Sequence, residues 1–503
     1  MKMFQIKKTL PVICFIVSII SVIVYRYFLL KDYAAQWVDE DQALLWYGTS
    51  LAAHFGLKEP HFLGQAYGSM LESIVAVPLY WLGVPHNFAL PIATSVLWFS
   101  PFLICAIKLW KKNTSIATVL ILYSMLFRWD YDILAGMPRS FISGFIFSFI
   151  GLVLLIESDK TAKWKAFIAP ILLALAFINT ETTITIIGLG VLFYLLFLFK
   201  NLYSTWYVVV SGTFCGILLI LFCNRIFYIL NPEYLLHGGA NSISFSKHVL
   251  LQNLSSIKSL LCSFSLVNLS NIPIVLIISM MILLILCIIY KQWKLLLLYI
   301  CALGGSVLFL AHPKSMDFYD SLFFSQTRMF LFVPYIMLLL FYVTSVAICT
   351  KHNITGPSIK VNILIACLCV VLSAVKIVYF EKVVVQKEEL YTSAIVRVTN
   401  ISEVYSAANE IGKYAEENNC EIVVLLTDNR TIGYCTGAIN YSKYISYNAF
   451  YDRRSATYLH FKNCLIDNNV LFVYYKDGSV SKMMCEHVTG NLIDYIRENK
   501  GIQ

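Results

Sequence analysis

Apolar stretches long enough, or nearly so, to cross a lipid bilayer recur along this chain. They fall at about 10–30, 88–108, 115–136, 140–156, 165–178, 184–199, 207–230, 271–290, 295–311, 328–349 and 361–380. Hydrocarbon offers no water to backbone N–H and C=O groups, so each crossing must close its own hydrogen bonds as a helix. Composition agrees. Of the 503 residues 59% are hydrophobic and 13% charged, with a mean hydropathy of +0.72, where soluble domains average about 45–50% apolar and about 25% charged. The fold class is therefore a polytopic α-helical membrane protein with about eleven transmembrane helices, counting each stretch as one crossing.

Lysines punctuate these stretches in alternate loops. Lys2, Lys7 and Lys8 precede the first; Lys108, Lys111 and Lys112, Lys160, Lys163 and Lys165, Lys200, Lys291 and Lys294, and Lys351 and Lys360 mark later ones. Excess Lys and Arg stay on the cytoplasmic side, so an inside N-terminus makes every patch cytoplasmic. The net charge of +9 is then a topology signal, and no nucleic-acid partner is expected. The first stretch is too long for a cleaved signal peptide and no small-residue cleavage site follows it. Residues 70–82 are apolar but short and contain Glu72 and Pro78, which predicts a helix lying on the outer surface. A polar break at 179–183 predicts an external turn between two short helices. The external side then carries loops 31–87, 231–270 and 312–327, and function is expected there.

The transmembrane domain is expected over 1–380 and a small external soluble α/β domain over 381–503. In the latter, 401–418 has helical periodicity, 421–427 and 470–475 are apolar runs of strand length, 476–479 is a turn, and 491–499 is a closing helix. Of fourteen cysteines, Cys420, Cys435, Cys464 and Cys485 lie in this part. None forms a C-x-x-C pair, which argues against zinc; on an external domain the four allow three disulfide pairings.

Three consecutive acids, Asp39, Glu40 and Asp41, open the first external loop. Ionisable groups beside hydrocarbon are costly and mark chemistry or a substrate path. A carboxylate there can take a proton from an attacking hydroxyl; the alternative is a helix N-cap. On a helix, neighbours point about 100° apart, so Asp39 and Glu40 cannot both face one pocket. The same loop holds Gly64, Gln65, Tyr67, Gly68 and Glu72. A second cluster, Arg128, Asp130, Asp132 and Arg139, lies at the external end of the third and fourth stretches. A third comprises His312, Lys314, Asp317, Asp320, Gln326 and Arg328. Arginine matches phosphate oxygens in a fork; the alternative for these cations is interfacial anchoring. Glu181, in the external turn, is a candidate substrate contact.

The Asp39-Glu40 pair directly after the first span, the long external loop with its surface helix ending in Trp81-Leu82-Gly83, and the span closing on lysines resemble the GT-C glycosyltransferase superfamily. That group includes protein O-mannosyltransferases and aminoarabinose transferases. The Gly64-Gln65-x-Tyr67-Gly68-x-x-x-Glu72 run is similar to a loop in uncharacterised bacterial members. The resemblance covers roughly residues 9–380 as a pattern of spans. It implies inverting transfer of a sugar from a polyprenyl-phosphate donor to a glycan, lipid or protein acceptor at the external face of a bacterial plasma membrane. It implies Asp39 as the base with Glu40 as its fallback, a second acid at Asp130 or Asp132, and donor phosphate near Arg139 or Arg328. Gln65 and Tyr67 would line the substrate path. Some members use a divalent cation, which external acids could hold. The other functions considered are a transporter or flippase of lipid-linked saccharides, and a polysaccharide polymerase or ligase.

Overall fold

Seven helices among the described residues are long and apolar enough to cross a membrane: Thr9–Asp32, His86–Trp110, Glu181–Leu198, Thr205–Leu230, Trp293–Leu310, Thr327–Cys349 and Ile359–Lys382. Each falls on an expected stretch. The computed structural model describes residues 2–61, 68–110, 112–158, 162–232, 234, 245–315, 326–352, 359–391, 398–427, 429–449, 461, 464–476 and 478–500. The remaining four stretches form shorter helices, so seven rather than about eleven have full bilayer length.

In chain order, α1 (Lys2–Leu29) leads through a π-turn, Leu30–Ala34, into β1 (Trp37–Val38) and α2 (Glu40–Ala53). The expected surface helix is α3 (Leu71–Trp81), followed by α4 (His86–Trp110), α5 (Thr114–Tyr123), α6 (Trp129–Leu134) and α7 (Phe145–Ile156). Next come α8 (Lys163–Asn179), α9 (Ile184–Leu221), α10 (Phe227–Leu230) and α11 (Lys247–Ser263). The hairpin β2 (Asn268–Leu269) and β3 (Ile272–Pro273) precedes α12 (Ile274–Ile289), α13 (Trp293–Leu310), α14 (Gln326–Met329), α15 (Val333–His352) and α16 (Ile359–Tyr391).

The stretch 115–136 breaks because polar residues turn inward there. α5 ends at Tyr123 and α6 starts at Trp129, and Met125, Phe127, Asp130 and Asp132 are all buried. Non-helical backbone at membrane depth is tolerated only where protein covers it. The end of α11 does so: Arg128 N–H donates to the Ser263 carbonyl and Leu266 N–H to the Leu126 carbonyl. Gly144 permits the close approach of α7 and α8, since a Cβ there would lie 2.4 Å from the Ala176 carbonyl oxygen.

The C-terminal residues run β4 (Thr399–Asn400), α17 (Ile401–Glu417), β5 (Ile422–Leu426), α18 (Arg430–Ile439), β6 (Ile445–Asn448), β7 (Leu465–Lys476), β8 (Ser479–Asn491) and α19 (Leu492–Lys500). The sheet order is β6-β5-β7-β8, with β5 parallel to both neighbours and β7–β8 an antiparallel hairpin. Gly478, at φ +82°, makes its turn. β5 is apolar throughout because both faces are covered: Val423 and Leu425 enter one core, Ile422, Val424 and Leu426 the other.

The first of those cores is shared. Trp46 and Tyr47 of α2 and Leu90 of α4 pack in one cluster with Val404, Ile411, Ile432 and Cys435 of the C-terminal part. β1 pairs antiparallel with β4, Trp37 opposite Asn400 and Val38 opposite Thr399. The Ser50 hydroxyl donates to the Ala438 carbonyl (2.9 Å), and the Tyr405 hydroxyl to Asn87 Oδ1 (3.2 Å). The C-terminal part thus grips the segment on either side of Asp39. A separate core around Trp98, Phe102, Phe127, Tyr131, Phe145 and Tyr335 holds the membrane helices.

Candidate active site

Each of the three consecutive acids turns toward a different arginine. Asp39 ends extended β1 and caps α2, its Oδ1 accepting the Gln42 N–H at 2.9 Å. Its Oδ2 forms an ion pair with the Arg139 guanidinium. Only 1% of Asp39 and 5% of Arg139 is exposed, and charges buried this deeply persist only when paired. Capping and site chemistry were alternatives in the sequence; Asp39 does the first with one oxygen and faces a cation with the other. Glu40 lies one helical step round and pairs with Arg430 at the start of α18, 3.3 Å away and half-exposed. Asp41 turns further, toward Arg328, and is half-buried. Among the described residues its carboxylate closes no hydrogen bond or ion pair. Burial pushes Asp41 up to about 6, against the pull of Arg328. Arg328 also acts on Arg139, so the two arginines proposed from separate loops lie within each other's field.

Arg139 is placed by a turn that two remote segments hold. Ser140 has φ +59°, which a non-glycine residue adopts only where its surroundings enforce it. Its hydroxyl donates to the Ser69 carbonyl. Its own carbonyl accepts from Thr180 Oγ1 (2.9 Å) and Ser143 Oγ (3.3 Å). The Ser69 hydroxyl donates to Asn179 Oδ1, and Gly68 bridges to Thr180. Glu181, the expected contact in this turn, opens a single 3-10 turn and is half-exposed. The groups that support the site are its neighbours Asn179 and Thr180, which the polar break signalled only as a loop.

Asp130 and Asp132 lie in two other clusters. Arg128 forks onto Asp130 (2.8 and 2.5 Å), the Ser263 hydroxyl also donates to it, and Ser263 meets the Thr327 hydroxyl at 3.0 Å. Asp130 is therefore linked to the residue preceding Arg328. Asp132 accepts from the Tyr25 hydroxyl (2.6 Å) and pairs with Lys376, while Arg26 donates to its backbone carbonyl (2.8 Å). It ties α1, α6 and α16 together. Arg26 and Lys376 were missed, although cations inside apolar stretches are a signal in themselves. Gln65, Tyr67, Asp317 and Asp320 lie outside the described residues. Among the described residues no three His, Cys, Asp or Glu side chains converge as a metal site; the acids of the first loop diverge instead.

Fold and site together define a polytopic helical membrane protein whose buried acid–arginine centre is braced by a C-terminal four-stranded sheet and its helices. No protein-family model matches the chain, and no curated protein matches it. Among solved structures it is similar to ArnT from Cupriavidus metallidurans in the apo state, with a TM-score of 0.47 and 11% identity over 96% of this chain and 98% of that one. A likeness at that score assigns no residue, and the roles below rest on the geometry of this chain.

Proposed function

We propose that this chain transfers a sugar from a polyprenyl-phosphate-linked donor to an acceptor hydroxyl at the external face of the cell membrane, with inversion. The buried Asp39–Arg139 pair beside Arg328 carries this reading. An acid and an arginine pair within the field of a second arginine, which supplies a proton acceptor for a hydroxyl and cations for a phosphate.

In this structure Asp39 is the counter-ion of Arg139. A donor phosphate offers the guanidinium two oxygens in fork geometry and replaces the carboxylate as its partner. Asp39 is then free to accept a proton. The acceptor oxygen bonds to the anomeric carbon as the carbon–oxygen bond to phosphate breaks. The hydroxyl proton passes to Asp39, and the polyprenyl phosphate leaves with the electron pair, its charge stabilised by Arg139 and Arg328. The alternating lysine patches support placing this chemistry, loops 31–87, 231–270 and 312–327, and the C-terminal domain outside. The acceptor is a glycan, a lipid or a protein.

The test is purified protein in liposomes supplied with a polyprenyl-phosphate sugar and a soluble hydroxyl acceptor. Formation of an inverted glycoside is expected. Movement of intact donor between leaflets without any glycoside would replace this reading with the flippase one.

A further inference from the structure

Glu72 is a buried carboxyl that the transfer step does not use. It lies in the first turn of α3 and is 0% exposed. Its carboxyl faces the backbone N–H groups of Arg139 and Ser140 and the hydroxyl of Thr94 on α4. Among the described residues none of these closes a full hydrogen bond, and Thr94 Oγ1 is likewise buried without a partner there. Successive backbone N–H groups aimed at one acceptor form a nest, here at the left-handed turn that carries Arg139. The other titratable groups on helices packed against α3 lie elsewhere: Cys105 of α4 is in the membrane core, and the rest have other neighbours. Glu40 pairs with Arg430, Asp41 faces Arg328, Tyr47 and His54 meet the Tyr441 ring, His86 meets Ser50, and Lys108 pairs with Glu157.

We propose that Glu72 is a positioning residue: its carboxyl seats the Arg139–Ser140 turn and through it aims the Arg139 guanidinium at Asp39. The protonated form suits the task, because a carboxylic acid offers a carbonyl oxygen toward N–H donors and a hydroxyl toward the Thr94 oxygen. Burial pushes the group up to about 8, so it is protonated at neutral pH. The catalytic consequence rests on the phosphate reading of Arg139; the structural coupling does not.

The experiment compares the full-length protein in nanodiscs with Glu72→Gln, Glu72→Ala, Arg139→Ala and the Glu72→Ala/Arg139→Ala pair. A carboxyl whose folded pKa is raised holds its stabilising effect below the unfolded value and loses it as pH rises through the folded one. Wild type should therefore lose thermal stability from about pH 4.5 to about 8 relative to Glu72→Gln, and the difference should level off above that. Midpoints of the two alanine variants should be non-additive. In the transfer assay Glu72→Gln should stay within about threefold of wild type, and Glu72→Ala should raise the donor KM about tenfold. Additive midpoints, an unchanged pH slope in Glu72→Gln, or a Gln variant as impaired as the Ala variant would each overturn the proposal. If wild type itself transfers no sugar, the transferase reading fails, while the pH slope and the double-mutant cycle still decide the role of Glu72.

Discussion

The Asp39 carboxylate and the Arg139 guanidinium close an ion pair inside the protein, one at the head of α2 and the other in the turn before α7. Removing one member of such a pair leaves a buried charge and costs about 3–5 kcal/mol. Loss of general-base help costs about 10²–10⁴-fold in rate. Asp39→Asn should therefore lower both the thermal midpoint and turnover, while donor binds at least as tightly as to wild type because no carboxylate has to be displaced from Arg139. Adding Arg139→Gln should restore much of the midpoint and none of the turnover. Near-normal turnover in folded Asp39→Asn would take the base away from this residue.

Arg139 and Arg328 should differ in what lysine can replace. At a forked phosphate contact lysine keeps the charge and loses the second hydrogen bond. Arg139→Lys should bind donor more weakly than wild type and better than Arg139→Ala, read as donor KM or as affinity for polyprenyl phosphate. The same order is expected at Arg328. Full donor affinity in both folded alanine variants would remove the phosphate role from both.

The Glu40–Arg430 bridge is about half exposed on each side, and bridges of that kind contribute roughly 0–1 kcal/mol. Glu40→Gln should change the midpoint little and leave turnover within about threefold, since its carboxylate turns toward the C-terminal domain. A loss as large as that of Asp39→Asn would move the base by one residue.

Asp41 should set a pH dependence of its own. Its folded pKa, about 6, lies above the ordinary value of 3.8. Its stabilising effect is complete below the unfolded value and is lost as pH rises through the folded one. Wild type should lose stability from about pH 4 to about 6 relative to Asp41→Asn, then run parallel to it. Thermal midpoints across that range check this, and parallel curves throughout would refute it.

The apolar stretches made the seven long helices legible, because span length is a property of local sequence. The short helices were not, since what ends α5 is the Arg128 and Asp130 contacts with Ser263, far along the chain. Asp39, Arg139 and Arg328 were each legible as chemistry-bearing residues. Their convergence was not: it depends on Ser69, Ser140 and Thr180 folding three loops together. In the C-terminal part the strand over 421–427 and the helix over 401–418 showed through their own patterns. α18 did not, because Gly433, Thr436 and Gly437 dilute its apolar face, and its docking on α2 is a long-range fact.

Cys420 and Cys485 give a test of membrane orientation. Their sulfurs are 3.0 Å apart, about 1 Å more than a formed disulfide. Cys435 is buried in α18 and Cys464 donates to the Leu465 carbonyl, so Cys420–Cys485 is the single bond the geometry favours. Burial and the Cys485 thiol push Cys420 up to about 12, which makes it a poor thiolate and its oxidation slow. On the oxidising outer side the two thiols should nonetheless pass two electrons and two protons to a thiol–disulfide oxidant and form the bond. The loop closed spans 65 residues, for which the chain-entropy model gives about 4 kcal/mol of stabilisation. Membranes alkylated without reduction and then digested should yield the Cys420–Cys485 cross-linked peptide, with Cys435 and Cys464 alkylated. Both Cys420 and Cys485 recovered alkylated, together with protection of the C-terminal domain from protease added outside, would place that domain in the cytoplasm and reject the external site.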